Sequence, residues 1–323
     1  MSFTTPPRPL DVTALFPELA PLARKATRLH PRPGSPTMRD SSVGGPLLWP
    51  ADEPWPHCDG DHVWDKWTPA LSAEDIRQSR RPQAAAEERH GRPQPEGPIP
   101  MLPVAQLYGR DVPLPAPPGA DLLQVLWCPF DHPTHPRTAL FWRSAAEVTD
   151  VLAAPPEPSA VQLVTYLPEP CVLAPEQVTE YPHPMELSQD LQRQLAEVSR
   201  WEAAGPAWNS AYAIAPHEFY RNELAYASGW KVGGWSTWGL TDPVPRPCPE
   251  CGTEALPLLT IASTEWDGGS ESWAPQEEHT NPTPLPPGYP TANFTMIDIA
   301  SGYNLQLHAC PASPDHPQVE LIQ

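Results

Sequence analysis

The sequence predicts an α+β protein, richer in strand than in helix. It is expected to hold a strand-rich internal duplication, two related β units with pseudo-two-fold symmetry, plus a few flanking helices. Three observations lead there. The first is an ordered repeat: Val43-Gly44-Gly45 matches Val232-Gly233-Gly234, and Pro56-His57-Cys58 sits where Arg246-Pro247-Cys248 sits. Leu102 to Leu107 then echoes Leu256 to Ile261, and Leu123 to Pro129 echoes Leu305 to Pro311. Four matches in one order are hard to obtain by chance. The second is proline, 50 of 323 residues, about three times ordinary usage. Proline stops helices and is kept out of central strands, so the chain reads as short strands between loops. The third is a set of short apolar runs bounded by turn residues, the pattern of buried strands.

In chain order, residues 1–41 form a helical lead-in. Val12, Leu15, Phe16, Leu19, Leu22, Ala26 and Leu29 recur at helical spacing, with Asp11 as N-cap and Pro17 and Pro21 arguing for two pieces or a kink. The first unit spans 42–143, with Gly44-Gly45 suited to positive φ or close backbone approach. Residues 68–100 interrupt it as a Pro/Arg/Ala-rich insertion, expected to be solvated. Strands are expected at 101–107, 122–127 and 138–143. The connector, 144–228, offers a strand at 161–166. It also carries an amphipathic helix at about 186–203 on Leu187, Leu191, Leu195, Val198 and Trp201, with Ser188 or Glu186 near its start. The second unit, 229–323, holds the Cys-x-x-Cys loop, a strand at 256–262, a turn at Trp266-Asp267-Gly268-Gly269-Ser270, a Pro-rich loop at 277–291, and strands at 294–299 and 303–309.

Net charge is −19, with 20 Lys and Arg against 39 Asp and Glu. No Lys or Arg follows Arg246. Such a surface repels nucleic acid and anionic lipid and attracts basic partners. The N-terminus lacks a charged region followed by an apolar one, and no apolar run reaches membrane-spanning length. A cytoplasmic protein is expected, and there a Cys-x-x-Cys favours metal or redox chemistry over a structural disulfide.

Cys248-Pro249-Glu250-Cys251-Gly252 is the sharpest motif. Two thiolates two residues apart, on a turn relaxed by Gly252, can face one tetrahedral Zn²⁺. Cys310 and His316, at the end of the unit's last strand, are the natural completion. The repeat offers the same geography in the first unit: Cys58 with His57 or His62, and Cys128 with His132. Without metal, Cys248 and Cys251 would be a reduced turn, and Cys128 and Cys310 small packing residues. A redox dithiol is the further alternative, although the motif does not open a helix after a strand. Trp230, Trp235, Trp238, Trp266 and Trp273 are first a packing signal, and part of the set, Trp235, Trp238, Trp266 and Trp273, is a candidate exposed peptide-binding face. Glu265 and Asp267 flank Trp266 and could share one face of a strand end. No phosphate loop, nucleophile elbow or His-Glu-x-x-His occurs.

Ser42-Val43-Gly44-Gly45, Trp49-Pro50, Trp55-Pro56 and Val104-Ala105-Gln106-Leu107 resemble the pattern of the YwqG-like family of bacterial proteins, whose activity is unassigned. The likeness covers most of residues 11–323. Gly233-Gly234-Trp235, Cys248-x-x-Cys251-Gly252 and a last strand ending in Cys310 are similar to the eukaryotic programmed cell death protein 2 family. Members of that family act as chaperones for a basic ribosomal protein. Their Cys-x-x-Cys matches Cys248 and Cys251, and their strand-end Cys matches Cys310. The first unit departs from the pattern, because His57-Cys58-Asp59-Gly60-Asp61-His62 lacks the second cysteine. The expected function is an acidic protein-binding module with a structural zinc, engaging a basic protein as a chaperone or an immunity protein does. The alternative is a hydrolase-type enzyme with a site between the units, using His132, His316, Glu265 and Asp267.

Overall fold

The computed structural model describes residues 2–63, 69–81, 91–93, 95–132, 135–285 and 290–323. Its strands, in chain order, are β1 (Arg24–Arg28), β2 (Arg32–Pro33), β3 (Ser42–Val43), β4 (His57–Cys58), β5 (Ile99–Pro100), β6 (Leu102–Tyr108) and β7 (Leu122–His132). They continue with β8 (His135–Arg143), β9 (Cys171–Val172), β10 (Glu176–Glu180), β11 (Lys231–Gly233), β12 (Leu256–Ile261), β13 (Leu305–Ala309) and β14 (Val319–Ile322). Short helices flank them, so the fold is α+β.

The chain forms two discontinuous bodies. One holds residues 31–173 and 284–302; the other holds 1–30, 174–283 and 303–323. We call them the first and second bodies, after the repeat each contains. The first is built on a six-stranded sheet in the order β2-β9-β3-β6-β7-β8, the second on β10-β1-β11-β12-β13-β14. The last four places in each order fall within the two repeated units, the first three of them on matched sequence, and every pairing among them is antiparallel. Even the irregularity recurs. The β6/β7 register shifts between Pro103 and Ala105, and β12/β13 between Pro257 and Leu259. Proline has no N–H for the ladder, so a bulge at the same repeat position follows from the same residue.

The glycine pairs end the third strand of each order. Gly44, Gly233 and Gly234 have φ of 62°, 69° and 74°, conformations that favour glycine. A Cβ on Gly44 would stand 2.9 Å from the Glu169 carbonyl oxygen.

The sheets are completed by segments outside the sequence repeats. β1, from the lead-in, pairs with β11 and β10. β9, from the connector, pairs with β3 and β2. The boundaries 1–41, 42–143, 144–228 and 229–323 therefore describe the repeat but not the bodies. The order of each sheet requires two strands that the repeats themselves lack.

Other elements differ from expectation. Helix α1 is only Val12–Leu15, capped by Asp11, whose side chain accepts from the Thr13 N–H. Pro17–Leu22 is a 3₁₀ helix and Arg24–Arg28 is strand β1, so the helical spacing after Pro17 and Pro21 was not a helix. The insertion is not wholly solvated: α2 (Ala73–Ser79) is capped by Ser72 and fully buries Ile76. Residues 68, 82–90 and 94 of it lie outside the described residues. The connector helix is two, α3 (Gln189–Leu195), capped by Ser188, and α4 (Val198–Glu202). They pack Leu191, Leu195 and Trp201 against Phe16 and Leu19. Residues 161–166 give a bridge at Val161 and a 3₁₀ turn rather than a strand. Residues 294–299 form no strand: a turn at Phe294 and Thr295 leads into an irregular, mostly buried segment that positive φ at Met296 interrupts. No helix among the described residues is long and apolar enough to cross a membrane.

Candidate metal centres

Each body brings four Cys and His side chains together at the same place in its sheet. In the first body the group is Cys58, His62, Cys128 and His132; in the second it is Cys248, Cys251, Cys310 and His316. Within each group the ligand atoms all lie within 4.8 Å of one another.

In the first body, β7 supplies Cys128 and His132. β4 supplies Cys58 through its pairing with β5, and the following loop is laid on β7 by the Val63 N–H donating to the Asp131 carbonyl. The β7 end is itself fixed. Tyr166 donates its hydroxyl to Asp131 Oδ1 at 2.6 Å, and the Asp131 N–H donates to Gln162 Oε1. Cys58 Sγ lies 3.4 Å from His132 Nε2. The His62 ring stands edge-on to His132 and Phe130. Its Nε2 is buried without a hydrogen-bond partner among the described residues. A buried ring nitrogen with no partner is costly, and a metal is the partner its position allows. His57 is not in the group; its Nδ1 lies 2.7 Å from the Trp55 carbonyl oxygen.

In the second body, residues 246–255 fold as a narrow hairpin. The Cys248 N–H donates to Thr253 O, Gly252 N–H to Cys248 O, and Ala255 N–H to Arg246 O. Gly252, with φ of 72°, makes the turn. Cys310 follows β13, and His316 comes from the loop before β14. Cys248 Sγ and Cys310 Sγ lie 3.5 and 3.3 Å from His316 Nδ1, and Cys251 Sγ lies 3.5 Å from Cys310 Sγ.

Tetrahedral bonds of about 2.3 Å to sulfur and 2.0 Å to nitrogen place neighbouring donors about 3.3–3.8 Å apart. The observed separations are close to that. Two sulfurs with two imidazoles, and three sulfurs with one, are donor sets of tetrahedral structural sites. The local electrostatics favour one thiolate in each group, Cys58 and Cys251, while burial pushes the Cys310 thiol up. A hydrogen bond from Cys128 pulls Cys58 down to about 4, and that bond, with burial, pushes Cys128 up. The Thr253 hydroxyl and N–H pull Cys251 down to about 6. All six cysteines are free.

The other predicted site residues do not assemble. Trp238 and Trp273 are buried, and Trp273 donates its indole N–H to Asn222 O. Trp235 is covered by the Arg24 guanidinium at 3.6 Å from the ring centroid. Trp266 is half-buried. These indoles pack; they do not form an exposed binding face. Glu265 is buried and accepts from the Trp230 N–H, whereas exposed Asp267 accepts from the Gly269 N–H within its own turn. Alternate spacing puts two residues on one face only in a continuous strand, and β12 ends at Ile261, before both of them.

Sequence reasoning missed a buried ion pair. Lys231 and Glu180 are both fully buried, with Lys231 Nζ donating to both carboxylate oxygens at 2.8 Å. The Ala227 and Trp235 N–H groups complete the cage around Glu180. The signal was a lysine opening the apolar Lys231-Val232-Gly233-Gly234 run: a Cβ on Gly234 would collide with the Glu180 carboxylate and the Ala26 side chain.

No protein-family model matches this chain, and neither does any curated protein.

Proposed function

We propose that this chain is a protein-binding module in which each body is stapled by a structural zinc ion, and that the second body receives a basic protein segment. The observation that carries the zinc reading is the repeated four-donor group. A loop and a strand end, far apart in sequence, converge on one point in each body. Zinc suits sulfur and imidazole donors, and sites with four protein ligands are structural as a rule. Binding there closes long loops, so part of the folding free energy is the metal's.

Charge supports the partner reading. Around the second group, Glu250, Glu254 and Asp315 are exposed, and Val244 and Leu256 are exposed apolar residues nearby in the chain. A basic segment with apolar side chains complements such a surface. The likeness to chaperones of a basic ribosomal protein points the same way, and free thiols suit a reducing cytoplasm. The reading covers a client chaperone and an immunity protein alike, since both hold a basic polypeptide.

The test is a titration of zinc-loaded protein against a labelled Lys/Arg-rich amphipathic peptide at several salt concentrations. Saturable binding that weakens with salt and is lost in a Glu250→Lys/Asp315→Lys variant is expected. Equal binding of an acidic control peptide, or an unaffected double variant, overturns the partner assignment.

A further inference from the structure

The two Cys/His groups differ in one position, and the difference is chemical. Where the first body has His62, the second has Cys251. In the first body both sulfurs are buried, Cys58 and Cys128 lying in an apolar cluster with Trp49, Trp55 and Phe130. In the second there are three sulfurs, and Cys251 is exposed. Its neighbours Glu250, Gly252 and Thr253 are exposed too. A Cβ added to Gly252 would meet nothing within 4 Å, so the turn carrying Cys251 is unpacked. Across from it, Cys310 Sγ is 3.5 Å away. A disulfide needs the sulfurs at about 2 Å, an approach that an unpacked turn can make without disturbing a core.

We propose that Cys251 and Cys310 are a site of reversible thiol oxidation by hydroperoxides, which releases the metal of the second body and leaves that of the first in place. The inference rests on the zinc reading of the second body. The Cys251 thiolate attacks one oxygen of the peroxide, the O–O bond breaks, and hydroxide leaves. The resulting sulfenic sulfur is attacked by the Cys310 thiolate, a second hydroxide leaves, and the S–S bond forms. Two thiolates lose two electrons, the peroxide gains them, and two protons from solvent convert the hydroxides to water. Cys248 and His316 remain as two donors, too few to hold the ion against water. The new covalent bond joins the hairpin to the end of β13, as the shared metal does. The second body therefore stays folded while its ion leaves. A cellular dithiol reductant restores the pair.

The experiment treats the zinc-loaded full chain with one equivalent of hydrogen peroxide beside a chromogenic zinc chelator. Peptide mapping follows. One of the two bound ions is expected to be released, with a single Cys251–Cys310 linkage. A Cys251→His variant, which copies the donor set of the first body, should keep both ions and release at a rate at least roughly tenfold lower. A Cys58→Ser/Cys128→Ser variant, which keeps only the second group, should release all its metal. Release from both bodies alike, no release, or linkage through another cysteine pair overturns the proposal. Protein whose second body holds no metal before peroxide is added instead refutes the zinc reading, and the mapped linkage still reports on the thiol pair.

Discussion

Replacing Glu180 with Gln should destabilise the second body strongly, and the size of the loss follows from the contacts. Glu180 accepts four hydrogen bonds, two from Lys231, one from the Ala227 main-chain N–H and one from the Trp235 main-chain N–H; both charged side chains are fully buried. Gln has the same shape, but its amide nitrogen must face at least one of these donors. Lys231 is left in a site where burial already pushes its pKa down and Glu180 is the main group holding it up. Breaking one partner of a buried pair costs about 3–5 kcal/mol. For a body of this size that is roughly a 10 °C fall in Tm. The sign with pH is also fixed. With its folded pKa depressed further below the unfolded value, Lys231 binds fewer protons in the folded state than in the unfolded one. The variant therefore gains stability relative to wild type as pH rises from neutral towards the unfolded lysine pKa. A Lys231→Met/Glu180→Leu double variant should be less damaged than Glu180→Gln, because it leaves no uncompensated charge. Calorimetric melts at pH 7 and pH 9.5 read all of this. A Tm change below about 3 °C, or a double variant damaged by the sum of the single losses, refutes the reasoning.

Gly234→Ala should unfold the second body at a lower denaturant concentration. Its φ of 74° and the crowding against Glu180 and Ala26 add up to a loss of about 2 kcal/mol or more. A urea curve superposable on wild type would contradict the close approach. His183 is held down to about 4 by burial, with Arg221 and His217 adding to it, and its Nδ1 accepts from the Met185 N–H. Its folded pKa lies below the unfolded value, so the stability tied to the neutral ring is present above pH 6.5 and is lost as pH falls towards 4. A His183→Asn variant should flatten that limb of the stability–pH curve, and an unchanged slope between pH 6.5 and 4 would count against it.

The repeated strands were legible because their register depends on motifs that the two copies share: the glycine pair, the Leu-Pro step and the strand-end cysteine. Those motifs also located both Cys/His groups, and the first group's choice of His62 over His57 waited on the fold of the 58–63 loop. The flanking strands β1, β2, β9 and β10 were not legible. Arg24–Arg28 has charged residues at both ends, and fully buried Arg28 donates to Thr5 and to the Trp273 carbonyl. Nothing in a local apolar pattern announces a buried arginine in a strand. Apolar spacing at 11–29 fits a helix as well as what forms, and only the two prolines argued otherwise. The tryptophans were legible as packing residues, but composition does not distinguish an indole under an arginine, such as Trp235, from one facing solvent.

The most direct test of the proposed pair of zinc sites is elemental analysis of freshly reduced protein, with Cys248→Ser/Cys251→Ser and Cys58→Ser/Cys128→Ser variants alongside. Two equivalents of zinc in the wild type and one in each variant are the predicted result. A folded wild-type protein that binds no zinc when it is supplied, or one whose zinc survives both pairs of substitutions, would contradict the account.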